Sequence, residues 1–280
     1  MCFTAMYMQN KKSNYRQSSK SKPIFKVAFT LKILYFITIK RKQVLALKAV
    51  LVDCRISDEE KRNLEKLCYK VLSVPPCPSL YNAVSGHPDM LLNIIGETTI
   101  IVHREMNEAF IKVLKAYGYI VLLSQNPLAS EYPWDIILNA VMLDNLFLHN
   151  IKYTDNNLIN NIKSKKIITV KQGYTKCSTA IINSSAVMTS DKGIAKSLAE
   201  ENIDVLLLPP GDILLPGLNY GFIGGCCGLI EDRALAFYGH LDNYLYKYEV
   251  YTFLKKHLTE PIFLSKGKLI DRGSIFSITI

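Results

Sequence analysis

The sequence predicts an α/β fold in which five ββαβ units build a five-bladed β/α-propeller with pseudo-fivefold symmetry over residues 47–280. Three observations predict it. An apolar segment flanked by Asp and Asn recurs along the chain, and a helical pattern followed by a β-type run separates the copies. The two ends of this region also carry complementary parts of one more unit, so that pairing the C-terminal strand with the N-terminal module would close the ring.

The repeat is clearest between HPDMLLN (residues 87–93) and YPWDIILN (residues 132–139). Asp89 and Asp135 stand 46 positions apart, and so do Asn93 and Asn139. A second apolar run follows each copy and ends in a histidine, again at the same offset. Coincidences at one offset indicate a repeated supersecondary unit.

Three later segments continue the pattern as strands: residues 179–183, 221–225 and 268–278. The prolines of the first two copies, Pro88 and Pro133, are expected at strand entries. Apolar residues at helical spacing follow each copy, and Asp155, Asp191 and Asp242 are expected as N-caps of three of these helices.

The fifth unit is divided between the chain ends. KAVLVDC (residues 48–54) reads as a strand, and Asp58 and Glu59 open a helix that VLSV follows. Residues 268–278 would supply the missing first strand.

The charge is concentrated in an N-terminal arm. The chain of 280 residues has a net charge of +10, yet residues 1–48 hold 11 Lys or Arg and no acid, and the rest has 23 basic and 24 acidic residues. Residues 1–46 are expected to be a basic, flexible extension or to precede the true start. A membrane-surface or targeting segment and a nucleic-acid-binding arm are the other interpretations. The apolar run at 25–39 is too short to span a bilayer.

The cysteines predict no metal site. Seven cysteines include no C-x-x-C pair, so zinc is not expected and no cofactor is indicated. An odd number without a disulfide framework suits a cytoplasmic protein. The adjacent Cys226 and Cys227 are expected to be small buried side chains on opposite faces of a strand.

The repeat also predicts a binding site, because corresponding strands of a ring converge on its axis. Buried polar groups there must be paired or contact a ligand. The predicted ligand-binding residues are His87, Asp89, Asp135, Asn139, Lys176 and Asp271. Scaffold roles are the alternative, particularly for Asn93 and Asn139. His103 and His149 are expected at the surface or in turns, and His240 is expected to have a local structural role beside Asp242.

Five ββαβ units in a ring resemble the pentein, or guanidino-group modifying enzyme, superfamily of arginine deiminases, dimethylarginine dimethylaminohydrolases and amidinotransferases. GHPDM, YPWDIILN, KQGYTKCST and GFIGGCCG resemble an uncharacterised bacterial branch of it, a domain of unknown function. The resemblance implies a Cys nucleophile, a His general acid/base and carboxylates that bind a guanidinium.

The chain departs from the superfamily's catalytic motifs. Where the superfamily has G-G-x-H-C-x-T, Phe276 and Ser277 replace the His and the Cys, and where it has H-x-D-T, the chain reads Lys176-Cys177-Ser178-Thr179. A serine needs a base to be a useful nucleophile. Amidino hydrolysis by the usual route is therefore not expected.

Three functions stay open at this stage. The first is a protein that binds a small polar or cationic, guanidino- or amino-acid-like, ligand in an axial pocket. The second is a diverged amidino-hydrolase or transferase with Cys177 or Ser277 as the catalytic residue. The third is nucleic-acid binding through the basic arm, and the sequence does not predict the oligomeric state.

Overall fold

The computed structural model describes residues 47–162 and 164–280. These residues form fifteen β-strands: β1 (Lys48–Asp53), β2 (Lys70–Val74), β3 (Leu92–Ile95), β4 (Thr99–Val102), β5 (Ile120–Leu123), β6 (Val141–Met142), β7 (Leu146–His149), β8 (Lys166–Thr169), β9 (Thr179–Asn183), β10 (Ala186–Thr189), β11 (Asp204–Leu207), β12 (Cys227–Glu231), β13 (Ala234–Phe237), β14 (Glu260–Phe263) and β15 (Phe276–Thr279). The α-helices are α1 (Asp58–Lys66), α2 (Pro88–Leu91), α3 (Glu108–Ala116), α4 (Asn156–Asn161), α5 (Lys192–Ala199) and α6 (Lys247–Lys256).

The strands form five three-stranded sheets of one design. In each, the middle strand pairs antiparallel with one neighbour and parallel with the other, as in β3-β4-β5. The antiparallel pair is a hairpin in four sheets, and a helix makes the parallel connection. This is the strand–strand–helix–strand unit that the repeat predicts.

The first sheet combines the two ends of the described chain. β15 pairs antiparallel with β1, with Ser277 opposite Val50, and β1 pairs parallel with β2. The predicted assignment of the C-terminal strand to the first module is therefore correct. The basic arm, residues 1–46, lies outside the described residues.

Side-chain caps position the helices where the sequence places them. Asp155 caps α4 by accepting from Asn157 N, and Asp191 caps α5 by accepting from Ile194 N. The prediction for Asp242 is wrong, because that residue lies in a 3₁₀ turn (Leu241–Asn243) and α6 begins at Lys247.

The buried face of α3 shows why these helices stay on their sheets. Phe110 and Leu114 are buried, one turn apart, and each such side chain contributes about 1.5–3 kcal/mol by leaving water. No helix among residues 47–162 and 164–280 is long and apolar enough to cross a membrane.

Several segments predicted as strands are turns instead. Pro88 is the first residue of α2, where its fixed φ and missing N–H suit a helix start, and it does not enter a strand. Residues 132–138 are also mostly turns, so Pro133 does not enter a strand either. Residues 221–225 precede β12, and β15 begins only at Phe276 because Gly273 and Ser274 both have positive φ.

Candidate functional site

A charged cluster lies in the interior where these turns meet, and we call Asp89, Lys176 and Ser274 the buried hub. Lys176 Nζ lies 2.8 Å from Ser274 Oγ, which lies 2.8 Å from Asp89 Oδ2. All three residues are buried. The lysine can donate to the hydroxyl, and the single hydroxyl proton can go to the Asp89 carboxylate or to Gly224 O, which lies 2.6 Å away. One serine thus lies between two opposite charges from distant parts of the chain.

Burial raises the pKa of Asp89, although the charge of Lys176 and the hydrogen bond with Ser274 oppose that shift. Asp89 Oδ1 has no hydrogen-bond partner within the described residues. The carboxyl group is therefore only partly compensated and can respond to a nearby cation.

Two glycines make the close approach to this cluster possible. A Cβ at Gly273 would overlap His87, and one at Gly225 would overlap the Asp271 carboxylate. Gly273 also has φ of 70°, which a glycine adopts without the usual cost. The local sequence RGS thus folds as a tight turn that brings Asp271 and Ser274 inward.

His87 lies between two buried carboxylates. Its Nδ1 is 3.6 Å from Asp271 Oδ1, and its Nε2 is 4.0 Å from Asp53 Oδ2. These separations are too long for hydrogen bonds, so the contacts are electrostatic. Burial lowers the pKa of His87, and the charges of Asp271 and Asp53 oppose that shift. Arg55 pairs with Asp53 at 2.6 Å and compensates its charge.

Asp271 belongs both to this arrangement and to a cavity. Its carboxylate accepts from Phe222 N at 2.9 Å and from Gly273 N at 3.0 Å. Burial raises the pKa of Asp271, which the charge of His87 partly offsets. Two backbone donors fix the carboxylate in place and leave it capacity to accept further hydrogen bonds.

The cavity, which we call the aromatic cavity, has a volume of about 320 Å³ and includes Asp271, His87 and Cys177 in its lining. The aromatic part of its wall is Tyr81, Tyr174, Tyr220 and Phe222. The rings of Tyr174 and Phe222 stack with centroids 6.2 Å apart, and Tyr220 meets Phe222 edge to face. A cavity with aromatic faces and a carboxylate favours organic cations.

Asp135 contacts Tyr174, one of the aromatic residues of this wall, from outside the cavity. Its Oδ2 accepts a hydrogen bond of 2.6 Å from Tyr174 Oη. Burial raises the pKa of Asp135, and the hydrogen bond from Tyr174 opposes that shift. Asp135 therefore orients a ring of the cavity and is not part of the lining itself.

Asn93 and Asn139, the two asparagines of the repeat, connect neighbouring backbone segments through side-chain hydrogen bonds, as expected for a scaffold role. Asn93 Nδ2 donates to the carbonyl groups of Leu138 and Ala140. Asn139 donates to Asp89 O and accepts from the backbone N–H groups of Lys176 and Cys177. These bonds replace strand pairing in the turns that the sequence suggested were strands.

The environment of Cys177 does not favour a thiolate. Burial, followed by the charges of Asp89 and Asp271, raises the pKa of the thiol well above its usual value. Cys177 lies in a turn before β9, and not in a converging strand as predicted. Asn139 Nδ2 lies 3.0 Å from its sulfur.

The hydrogen bond of Ser277 lies outside the buried hub, although Ser277 and Lys176 line the same cavity. Its hydroxyl donates to Ile230 O at 3.3 Å, and it lines a second cavity of about 410 Å³. Ser274, three residues earlier, is the serine that contacts charged groups. Sequence comparison with the superfamily motif therefore singled out Ser277 and missed Ser274.

Cys226 and Cys227 are buried, and both thiols contact Ile223 O, at 3.1 and 3.2 Å. The expectation that they face opposite sides is wrong, because β12 begins only at Cys227 and both side chains pack into the same apolar cluster.

The surface alternative for His103 and His149 is wrong, since both are buried; His103 instead starts a turn in which its carbonyl accepts from Met106 N at 2.9 Å. His149 contacts Thr154 Oγ1 at 2.7 Å and Gly173 O at 3.1 Å. Burial lowers the pKa of each histidine to about 4. In the part of the chain that the structure covers, no group of three His, Cys, Asp or Glu side chains could hold a metal ion.

Known structures with the same arrangement of elements include inosamine-phosphate amidinotransferase of Streptomyces griseus. It is 12% identical, with a TM-score of 0.51 over 81% of this chain and 94% of that one. An amidinotransferase of Microseira wollei from the saxitoxin biosynthetic pathway is 11% identical, with a TM-score of 0.50 over 78% and 88%. The chain therefore has the pentein-type α/β fold of the guanidino-group modifying enzymes.

Sequence comparison defines the family more narrowly. Residues 51–276 match a family of unknown function, DUF6873, and the chain belongs to that family. Comparison with the curated proteins finds no match. The fold neighbours are too dissimilar in sequence for their activities to be transferred directly.

Proposed function

We propose that this protein is a five-bladed pentein that binds a small organic cation, of guanidino or amino-acid-like character, in the aromatic cavity, and that it lacks the Cys/His machinery of the hydrolases. A cytoplasmic location is part of the proposal, with residues 47–280 as the binding domain and residues 1–46 as an extension.

The ring arrangement is supported by the sheets themselves. All five have the same strand order, and β15 pairs with β1. At least one residue from the first strand of every sheet lines the second cavity, and these residues include Ile94, Met142, Ile181, Leu229 and Phe276. Five strands that line one cavity support the proposed pseudo-fivefold arrangement.

The observation that carries the binding proposal is Asp271 in the lining of the aromatic cavity. A cation placed there is attracted by a buried carboxylate and by the faces of the aromatic rings. Each cation–π contact contributes about 0.5–2 kcal/mol. Burial raises the pKa values of Asp271 and Asp89. The positive charge of a bound cation would lower these pKa values again. Binding should therefore release protons near the raised pKa values.

The test is isothermal titration of the full chain with arginine, agmatine, citrulline and a panel of amines, in two buffers of different ionisation enthalpy. We expect agmatine and arginine to bind at least tenfold more tightly than neutral citrulline. Tyr220→Ala should weaken agmatine binding several-fold, because it removes an exposed aromatic wall of the cavity. Tyr248→Ala, also at an exposed tyrosine, is the matched control. No heat from any cation would contradict the proposal.

The enzymatic alternative requires Cys177 or Ser277 to be a nucleophile. The raised pKa of Cys177 and the carbonyl partner of Ser277 argue against both. Release of ammonia, urea or citrulline from arginine or agmatine, lost in Cys177→Ser or Ser277→Ala, would establish this alternative instead.

Nucleic-acid binding through the basic arm is a separate hypothesis that concerns residues outside the described part. We expect deletion of residues 1–46 to abolish any binding to DNA or RNA while agmatine binding persists. Unchanged nucleic-acid binding after the deletion would exclude the arm.

A further inference from the structure

The second cavity lies among the first strands of the five sheets, and its chemistry differs from that of the aromatic cavity. Apolar side chains from each of these strands form most of its wall. Its volume of about 410 Å³ is within the range of ligand-binding sites. The aromatic cavity includes Asp271, whereas the second cavity includes Lys176.

Lys176 is only 6% exposed and has unused capacity for hydrogen bonding. Its ammonium group carries three donors. One makes the 2.8 Å bond to Ser274, and the carbonyl oxygens of Thr179 and Gly224 lie at 3.5 Å, too far for strong bonds. The ring of Phe276 lies 5.6 Å from Nζ. A ligand anion in the cavity would add the strong acceptor that this ammonium group lacks.

The remaining charged groups indicate which anion fits. Glu97 and Asp144 are the acidic residues of the lining, and Lys165 Nζ already donates to the carbonyl groups of Leu143 and Asp144, at 2.7 Å each. Two carboxylates disfavour a multiply charged anion such as phosphate. A single carboxylate with an apolar tail satisfies both the buried lysine and the apolar wall.

We propose that the second cavity is a binding site for a small apolar monocarboxylate, whose carboxylate accepts a hydrogen bond from Lys176 Nζ while its hydrocarbon tail lies along the first strands of the sheets. This site is spatially distinct from the cation site, since the two cavities have no lining residue in common.

The experiment is titration of the full chain with octanoate, and with 1-octanol and octylamine as neutral and cationic matches of the same chain length. We expect octanoate to bind at least tenfold more tightly than either. Lys176→Met keeps an unbranched apolar side chain and should remove the preference for octanoate over octanol.

A second variant keeps the proposal testable if Lys176→Met does not fold. Leu229→Trp fills the half-buried wall of the cavity and should weaken octanoate binding at least tenfold, whereas Leu245→Trp on the exposed surface should not. Octanoate that binds no better than octanol, that binds Leu229→Trp unchanged, or that agmatine displaces competitively would overturn the proposal. Loss of agmatine binding alone bears on the cation site and leaves this one intact.

Discussion

The buried hub gives the sharpest prediction on stability, because a single hydroxyl links two buried charges. Ser274→Ala removes that hydroxyl and leaves Lys176 and Asp89 without their shared partner. Ser274 makes one hydrogen bond to each of these charged groups, and hydrogen bonds to charged groups contribute about 1.5–3 kcal/mol each. We therefore expect the free energy of unfolding to fall by about 3–5 kcal/mol.

Ala and Ser both carry a Cβ, so the positive φ at this position costs the same in the two proteins and cancels. The assay is urea unfolding of the full chain at pH 7, analysed by linear extrapolation. The melting temperature should fall by about 10 °C.

Ser277→Ala is the matched control, since it makes the same change three residues further along. Its hydroxyl has one neutral partner, Ile230 O at 3.3 Å, so it should cost no more than about 1 kcal/mol. Equal destabilisation by the two substitutions would refute the view that Ser274 bridges opposite charges.

Three further predictions concern acidity, packing and thiol reactivity. Burial lowers the pKa of His149 to about 4, against about 6.5 in the unfolded chain, so the unfolded chain binds more protons between these pH values and the free energy of unfolding falls as the pH drops. Between pH 7 and pH 4, His149→Gln should therefore lose about 3 kcal/mol less of its free energy of unfolding than the wild type. An equal loss in the two proteins would contradict this. Gly273→Ala should lower the free energy of unfolding by at least about 2 kcal/mol more than Gly118→Ala, because the new Cβ overlaps His87 at position 273 and meets no atom at position 118. Both glycines have positive φ, so equal urea midpoints for the two variants would exclude the steric argument. Iodoacetamide mapped by mass spectrometry should modify exposed Cys54 at least tenfold faster than Cys177, and the reverse order would restore Cys177 as a reactive thiol.

The repeat made the fold accessible from the sequence. The repeated unit is defined by two pairs of residues with the same separation, Asp89 with Asp135 and Asn93 with Asn139. The incomplete units at the two ends of residues 47–280 indicated that β15 pairs with β1. Local turn geometry was less accessible. Periodicity reports burial, and residues 135–138 and 221–225 are mostly buried and apolar like strands, but they form turns whose backbone groups bond to side chains and to neighbouring turns.

The site was predictable only in part. The sequence predicts that His87, Asp89, Lys176 and Asp271 lie close together, because each occupies a matching or converging position in the repeat. Ser274 was missed because motif alignment directed attention to Ser277, and its importance depends on a turn with two consecutive positive φ angles.

Other residues gave no local signal at all. Asp53 is the last residue of an ordinary buried strand, and the aromatic wall comes from three separate loops that contribute Tyr81, Tyr174 and residues 220–222. Aromatic side chains at such spacing are common in cores, so only their position around Asp271 marks them as part of a cavity.

A crystal structure of the full chain soaked with agmatine tests the cation-binding account most directly. We expect the guanidinium of the ligand within hydrogen-bonding distance of the Asp271 carboxylate, with Tyr220 and Phe222 against its hydrocarbon part. Agmatine bound elsewhere, or an aromatic cavity that stays free of it at a concentration saturating in titration, would contradict the account.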